Sequence, residues 1–166
     1  MNPTALLAET MPAEETVKPV SRLTLKSQLE DMAALWPWVE AIVAEHAISP
    51  DTAFAIHLCL EEAISNVIRH GYSGQPGHSL TVDYASYASP NAHELVFMIE
   101  DQAPPFDPLD PSLIEELPAP APEDFLRPGG RGILLMRRFA SSIAYQRLEN
   151  SDGGGNRLTI GFVLPH

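Results

Sequence analysis

The chain has 166 residues, enough for one domain with a tail and for a core that needs no metal or disulfide staple. Ten basic residues against twenty-two acidic ones leave a net charge of −12, which excludes a non-specific nucleic-acid binder, because that affinity comes from Lys and Arg displacing phosphate counterions. The single cysteine, Cys59, rules out an intramolecular disulfide and a cysteine-based zinc site and fits a reducing, cytoplasmic setting; no apolar run reaches the roughly 18 residues of a membrane helix, and the N-terminus lacks a secretory pattern.

Residues 1–18 are rich in Ala, Glu and Pro without periodicity and read as a flexible tail, which leaves 19–166 as the domain. Val20 and Arg22–Leu25 read as a short strand. Gln28 to His46 has helical apolar spacing, with a kink expected at Pro37. Ser49, Pro50 and Asp51 form a helix start (a capping hydroxyl, a proline suited to the first turn, an acid that favours the dipole), so the next helix should run from Pro50 to about His70 and stop at Gly71. Ser79–Tyr87 and Glu94–Glu100 read as two strands joined through Ser89–Pro90–Asn91. Residues 103–128 hold eight of the sixteen prolines and six acids, the composition of a lid or binding loop. A glycine-rich stretch then leads through Gly132 into a helix-like run to Phe139. Ile143–Leu148 and Arg157–Val163 close the chain as strands around a turn at Gly153–Asn156.

Three segments carry polar groups at places suited to chemistry. Glu62 and Asn66 are four apart on the second helix and share a face beside an apolar stripe of Ile56, Leu60, Ala63, Ile64 and Val67. A carboxylate and an amide one turn apart could hold a hydrated divalent ion and activate a hydroxyl; an amphipathic helix turning its polar side to water fits the same spacing. Asp101 ends an apolar strand, the position of a ligand-reading carboxylate and equally of a strand-terminating turn. Residues 127–138 carry four of the ten basic residues in an acidic chain, and glycines before a helix point backbone N–H groups at an anion; solvated arginines beside a glycine turn are the plain alternative. The segment is neither a P-loop, since no Gly-Lys-Ser/Thr follows, nor a dinucleotide fingerprint, since Leu135 fills the third glycine position. His57 and Glu61 lack a second His at metal spacing, so His57 is expected at the surface, and Cys59 is expected to pack in the core.

In this order, the pieces resemble the GHKL (Bergerat-fold) ATP-binding domain of histidine kinases and gyrase, and within it the anti-sigma factor serine/threonine kinases. The likeness lies in Glu62-Ala63-Ile64-Ser65-Asn66 with His70-Gly71-Tyr72, Phe106-Asp107-Pro108, Gly130-Arg131-Gly132-Ile133 with Leu135-Met136, and Gly155-Asn156-Arg157-Leu158-Thr159, over about residues 20–164. It implies a two-layer α/β sandwich, a mixed, mostly antiparallel sheet with helices on one face, and ATP with Mg²⁺ as cofactors. It also implies roles: Glu62 as general base, Asn66 as Mg²⁺ ligand, Asp101 as reader of the adenine amino group, Gly130, Arg131 and Gly132 around the triphosphate, and Thr159 supporting the base through water. The family's Asp-x-Gly stands here as Asp101-Gln102-Ala103, which puts a Cβ at a base-contacting position. The implied function is a cytoplasmic anti-sigma factor that phosphorylates a serine of a STAS-type anti-sigma factor antagonist, with a sigma factor as second partner, a homodimeric state, and no direct contact with nucleic acid or membrane. The alternative is an ATP-binding partner-switching module without kinase activity.

Overall fold

Five strands, β1 (Ser21–Lys26), β2 (Ser79–Ala88), β3 (His93–Asp101), β4 (Ser142–Leu148) and β5 (Gly155–Leu164), form one sheet in the order β1-β2-β3-β5-β4 in the computed structural model, which describes residues 19–110, 132–149 and 153–165. Alternation decides which side each strand buries: Leu95, Phe97 and Ile99 of β3 join Leu158, Ile160 and Phe162 of β5 in the core, while Met98, Glu100, Arg157 and Thr159 take the other face. Every neighbouring pair is antiparallel, so the sheet expected to be mixed has no parallel pair among the described residues. The cause is the crossover after β3. It returns the chain as β4 in the direction of β3, but β5 inserts between the two and pairs antiparallel to both.

Three helices, α1 (Leu35–Glu45), α2 (Pro50–Asn66) and α3 (Gly132–Phe139), supply the second layer on one face of the sheet. Ser49 caps α2, its Oγ accepting from the Thr52 N–H at 3.3 Å, with Pro50 in the first position and Asp51 in the first turn. Ile56, Leu60, Ala63 and Ile64 are at most 2 % exposed, which makes them the apolar stripe that seats α2 on the sheet. After Asn66 the helix widens into one π turn, Val67–Gly71, and the Tyr72 N–H donates to the Val67 carbonyl at 2.8 Å. The helical run therefore stops where Gly71 predicts, with its last turn in a geometry that recurs at functional sites.

The interruption expected at Pro37 lies upstream instead, as a change from 3₁₀ to α geometry at Leu35. Residues Leu29–Ala34 form a 3₁₀ helix, and α1 begins after it, so Pro37 sits in the first turn, where its missing N–H has no intrahelical partner to lose. The proline ring would meet the carbonyl four residues back, at Ala33, in a continuous α-helix, which moves the break upstream. His57 is also corrected. It is 7 % exposed rather than on the surface, because Trp36 of α1 stacks over its ring at 4.0 Å and its Nε2 lies 2.8 Å from Glu40 Oε1. Cys59 packs in the core as expected, and burial pushes its thiol up to about 12. Residues Gly153 and Gly154 take the positive φ of the expected turn, at 96° and 86°, but β5 begins at Gly155, earlier than the sequence suggests. The expected tail, residues 1–18, and most of the expected lid lie outside the described residues. No described helix is long and apolar enough to cross a membrane.

Candidate functional site

Between the helix layer and the sheet lies a narrow cleft. Ala63, Asn66 and Val67 enter it from α2 and its π turn, Ile99 and Asp101 from the end of β3, and Asn156 and Leu158 from the start of β5; Met136, Tyr145 and Phe106 complete the walls. The lining is mainly apolar, with a few convergent polar groups, the composition of a small-molecule site.

Among the described residues, Asp101 is the one carboxylate in this lining, and it is 7 % exposed. Two donors converge on its Oδ1: the Ala103 N–H at 2.9 Å and Asn156 Nδ2 at 2.9 Å. Burial raises its pKa, opposed by those two hydrogen bonds and by the nearby Arg147 charge. With Oδ1 engaged, Oδ2 is the oxygen left for a ligand's donor among the described contacts. The strand end is pinned from behind as well, since the Tyr72 hydroxyl accepts from the Gln102 N–H at 2.8 Å and donates to the Ser79 carbonyl at 3.0 Å.

Asn156 was not among the sequence candidates, yet it links more of the cleft than any of them. Its Oδ1 accepts from the Tyr145 hydroxyl at 2.5 Å and from the Phe106 N–H and Arg147 Nη1 at 3.3 Å each. Its Nδ2 donates to Asp101 Oδ1 and to the carbonyls of Pro104, at 3.1 Å, and Ala103, at 3.2 Å. A flipped amide would face a guanidinium and an N–H with its own NH₂, and a carboxylate and two carbonyls with its oxygen, so the surroundings fix its orientation. Thr159, expected to support the base, does not line the cleft; it lies three residues on from Asn156 and so on the opposite face of the sheet, paired with Met98 and Ala144.

Ala103 is 2 % exposed and is not among the described residues that line the cleft; its N–H donates to Asp101, and its carbonyl accepts from Asn156 and Arg147. Its methyl occupies space that Gly71 leaves free: a Cβ built on Gly71 would come within 3.1 Å of it. Its φ is not positive, so a glycine is not required there. Gly155, one residue before the Asp101 partner Asn156, has no such freedom, because a Cβ there would fall on the Asp101 carbonyl oxygen.

At the other end, Asn66 lines the cleft and Glu62, one turn earlier, packs against the start of α3. A Cβ on Gly132 would overlap Glu62 Oε2, so a larger residue there would push the Glu62 carboxylate aside. Burial raises the Glu62 pKa, with Glu61 adding and Arg69 opposing. The structure thus brings Asn66 and Asp101 to one cleft, while Glu62 and Gly132, which touch each other, do not line it; Glu62 lies one helical turn before Asn66. Gly130 and Arg131 lie outside the described residues. Among the described residues no three His, Cys, Asp or Glu side chains gather where they could hold a metal by themselves. An oxygen donor such as the Asn66 side chain fits an Mg²⁺ that takes its remaining ligands from phosphates and water.

Residues 25–162 match the family described as histidine kinase-like ATPase domain. The serine/threonine-protein kinase BtrW of Bordetella bronchiseptica is 31 % identical over 126 residues, which cover 74 % of this chain and 79 % of BtrW. A chain of the SiaB–SiaC complex from Pseudomonas aeruginosa shares the fold with a TM-score of 0.54 and 13 % identity, over 88 % of this chain and 91 % of that one.

Proposed function

Because the chain belongs to the histidine kinase-like ATPase family, we propose that it is an ATP-dependent serine/threonine protein kinase and anti-sigma factor, whose substrate is a serine of a STAS-type antagonist protein. The observation that carries this reading is the apolar cleft that Asp101 and Asn66 both line, with Glu62 one helical turn before Asn66 and against the glycine start of α3. Asp101 accepts from the adenine amino group. The triphosphate extends toward Gly130, Arg131 and Gly132. Glu62 takes the proton of the acceptor hydroxyl as that oxygen bonds to the γ-phosphorus and the bond to the β–γ bridging oxygen breaks, releasing ADP. Its raised pKa suits a base, since it binds a proton more strongly than an ordinary carboxylate while remaining able to release it. Asn66 would hold Mg²⁺, which supplies charge neutralisation for the phosphates when bound.

BtrW is named a serine/threonine-protein kinase, which supports transfer to a hydroxyl, and SiaB is named with SiaC in a two-protein complex, which supports a protein partner. A sigma factor as the second partner, a homodimeric state and a cytoplasmic location belong to the same proposal. The test is incubation of the protein with γ-labelled Mg·ATP and candidate antagonist proteins. Label on an antagonist serine is the expected result. ATP binding with no label on any antagonist would leave the partner-switching module without kinase activity as the reading, and no ATP binding would end both.

A further inference from the structure

Arg147 of β4 does not line the cleft, yet its guanidinium spans the network behind Asp101: Nη1 donates to the Ala103 carbonyl at 2.8 Å and to Asn156 Oδ1 at 3.3 Å, and Nη2 to the Gly153 carbonyl at 3.3 Å. We propose that Arg147 is a positioning residue that determines which purine the cleft selects, by holding Asp101, through Asn156 and the Ala103 backbone, as a charged acceptor aimed at an exocyclic amino group. The inference rests on the ATP reading above and goes beyond it, assigning selectivity to a side chain that never touches the ligand.

The chemistry is a choice between two states of one carboxyl group. A purine with an amino group at ring position 6 donates to a carboxylate. A purine with a carbonyl there presents lone pairs, which a carboxylate repels and a neutral carboxylic acid would satisfy by donating its proton. Burial at 7 % exposure favours the neutral acid, and three partners oppose it: Asn156, the Ala103 N–H and the Arg147 charge. Among the described residues, the Asp101 charge acts on the phenols of Tyr72, after the π turn, and Tyr145, on β4, with Asp107 acting on Tyr145 from the loop after β3; Arg22 and Glu100 lie with Asp101 along a separate surface groove. Arg147 is the positive charge that acts on Asp101, and it also fixes which way the Asn156 amide points.

Titration of Mg·ATP and Mg·GTP into the full chain by calorimetry tests this with two variants. Arg147→Met should lower the ratio of ATP to GTP affinity by about tenfold, the order expected for weakening a charged hydrogen bond. It should also raise the pH at which ATP binding is half lost. Arg147→Lys, which keeps the charge, should restore the pH profile and most of the ratio. Should Arg147→Met fail to fold, Tyr145→Phe removes only the hydroxyl that donates to Asn156, and should lower the ratio by about threefold. An unchanged ratio and pH profile in the folded variants, with ATP binding intact in the wild type, would overturn the proposal. A wild type that binds neither nucleotide would overturn the ATP reading itself, and the inference with it.

Discussion

Where β3 meets β5, the cleft is held by a dense set of hydrogen bonds, with Asp101, Asn156 and the backbone of Ala103 joined at 2.9–3.2 Å, whereas the side chains of Glu62 and Asn66 at the end of α2 have no hydrogen bond to another described residue. The first end is preformed by strand register: Asp101 pairs with Asn156 across the sheet, and Gly155 and Gly71 each omit a Cβ where chains touch. On the proposed reading, the second end is completed by partners that arrive with the reaction. A base is recognised by a fixed surface, while phosphates, metal and acceptor hydroxyl bring their own donors and charges. On this proposal recognition and chemistry are separable, and substitutions at one end should leave the other nearly intact.

The largest effect expected on this view is at Glu62. Glu62→Gln keeps the size of the side chain but cannot take a proton, so phosphoryl transfer should fall roughly 10²- to 10⁴-fold while calorimetric ATP affinity changes little. The same variant should hold or gain thermal stability at neutral pH. Burial raises the Glu62 pKa in the fold, so its charged form carries a penalty that is full above the folded pKa and absent below the unfolded one. A parallel loss of ATP affinity in Glu62→Gln would erase the separation between the two ends.

Asp101→Asn should do the reverse. Loss of a charged hydrogen bond is worth roughly 1.5–3 kcal/mol, so ATP should bind about 10- to 150-fold more weakly, with the transfer rate at saturating ATP reduced far less. In the wild type, binding needs the charged form of a group whose pKa is raised. Affinity should therefore decline on acidification, starting at a higher pH than an ordinary aspartate would give, and the decline should vanish in Asp101→Asn.

Gly155→Ala sharpens the comparison through stability, because its methyl would strike the Asp101 carbonyl; chemical denaturation should show a loss of about 1–3 kcal/mol together with weaker ATP binding. The smallest effect is expected at Ala103. Ala103→Gly removes a methyl that packs against Gly71, so it should cost about 1 kcal/mol or less of stability and leave ATP affinity within about twofold. A marked gain in affinity would mean that the Cβ at this position does hinder the base.

The sequence carries some of these features locally and hides others. The α2 cap, its apolar stripe and its stop at Gly71 are legible because each depends on neighbours within a turn or two. Glu62, Asn66 and Asp101 are legible for the same reason, as residues at fixed spacing on one helix or at the end of one strand. Asn156 is not, since its value comes from pairing with a residue 55 positions away. Thr159 could have been placed correctly by counting alternation from Leu158, Ile160 and Phe162, whose burial puts Thr159 on the far face with Arg157. His57 depends on Trp36 from another helix, which no spacing on α2 reports. Gly132 is legible as a glycine before a helix, but its close contact with the Glu62 carboxylate is visible only in three dimensions.

The most direct test of the division between the two ends is a crystal structure of the protein with Mg²⁺ and a non-hydrolysable ATP analogue. The account predicts the adenine amino group within roughly 3 Å of the Asp101 carboxylate and the γ-phosphate at the Glu62–Asn66 end, beside the start of α3. An analogue bound with its base away from Asp101, or with its phosphates turned from Glu62 and Gly132, would contradict it.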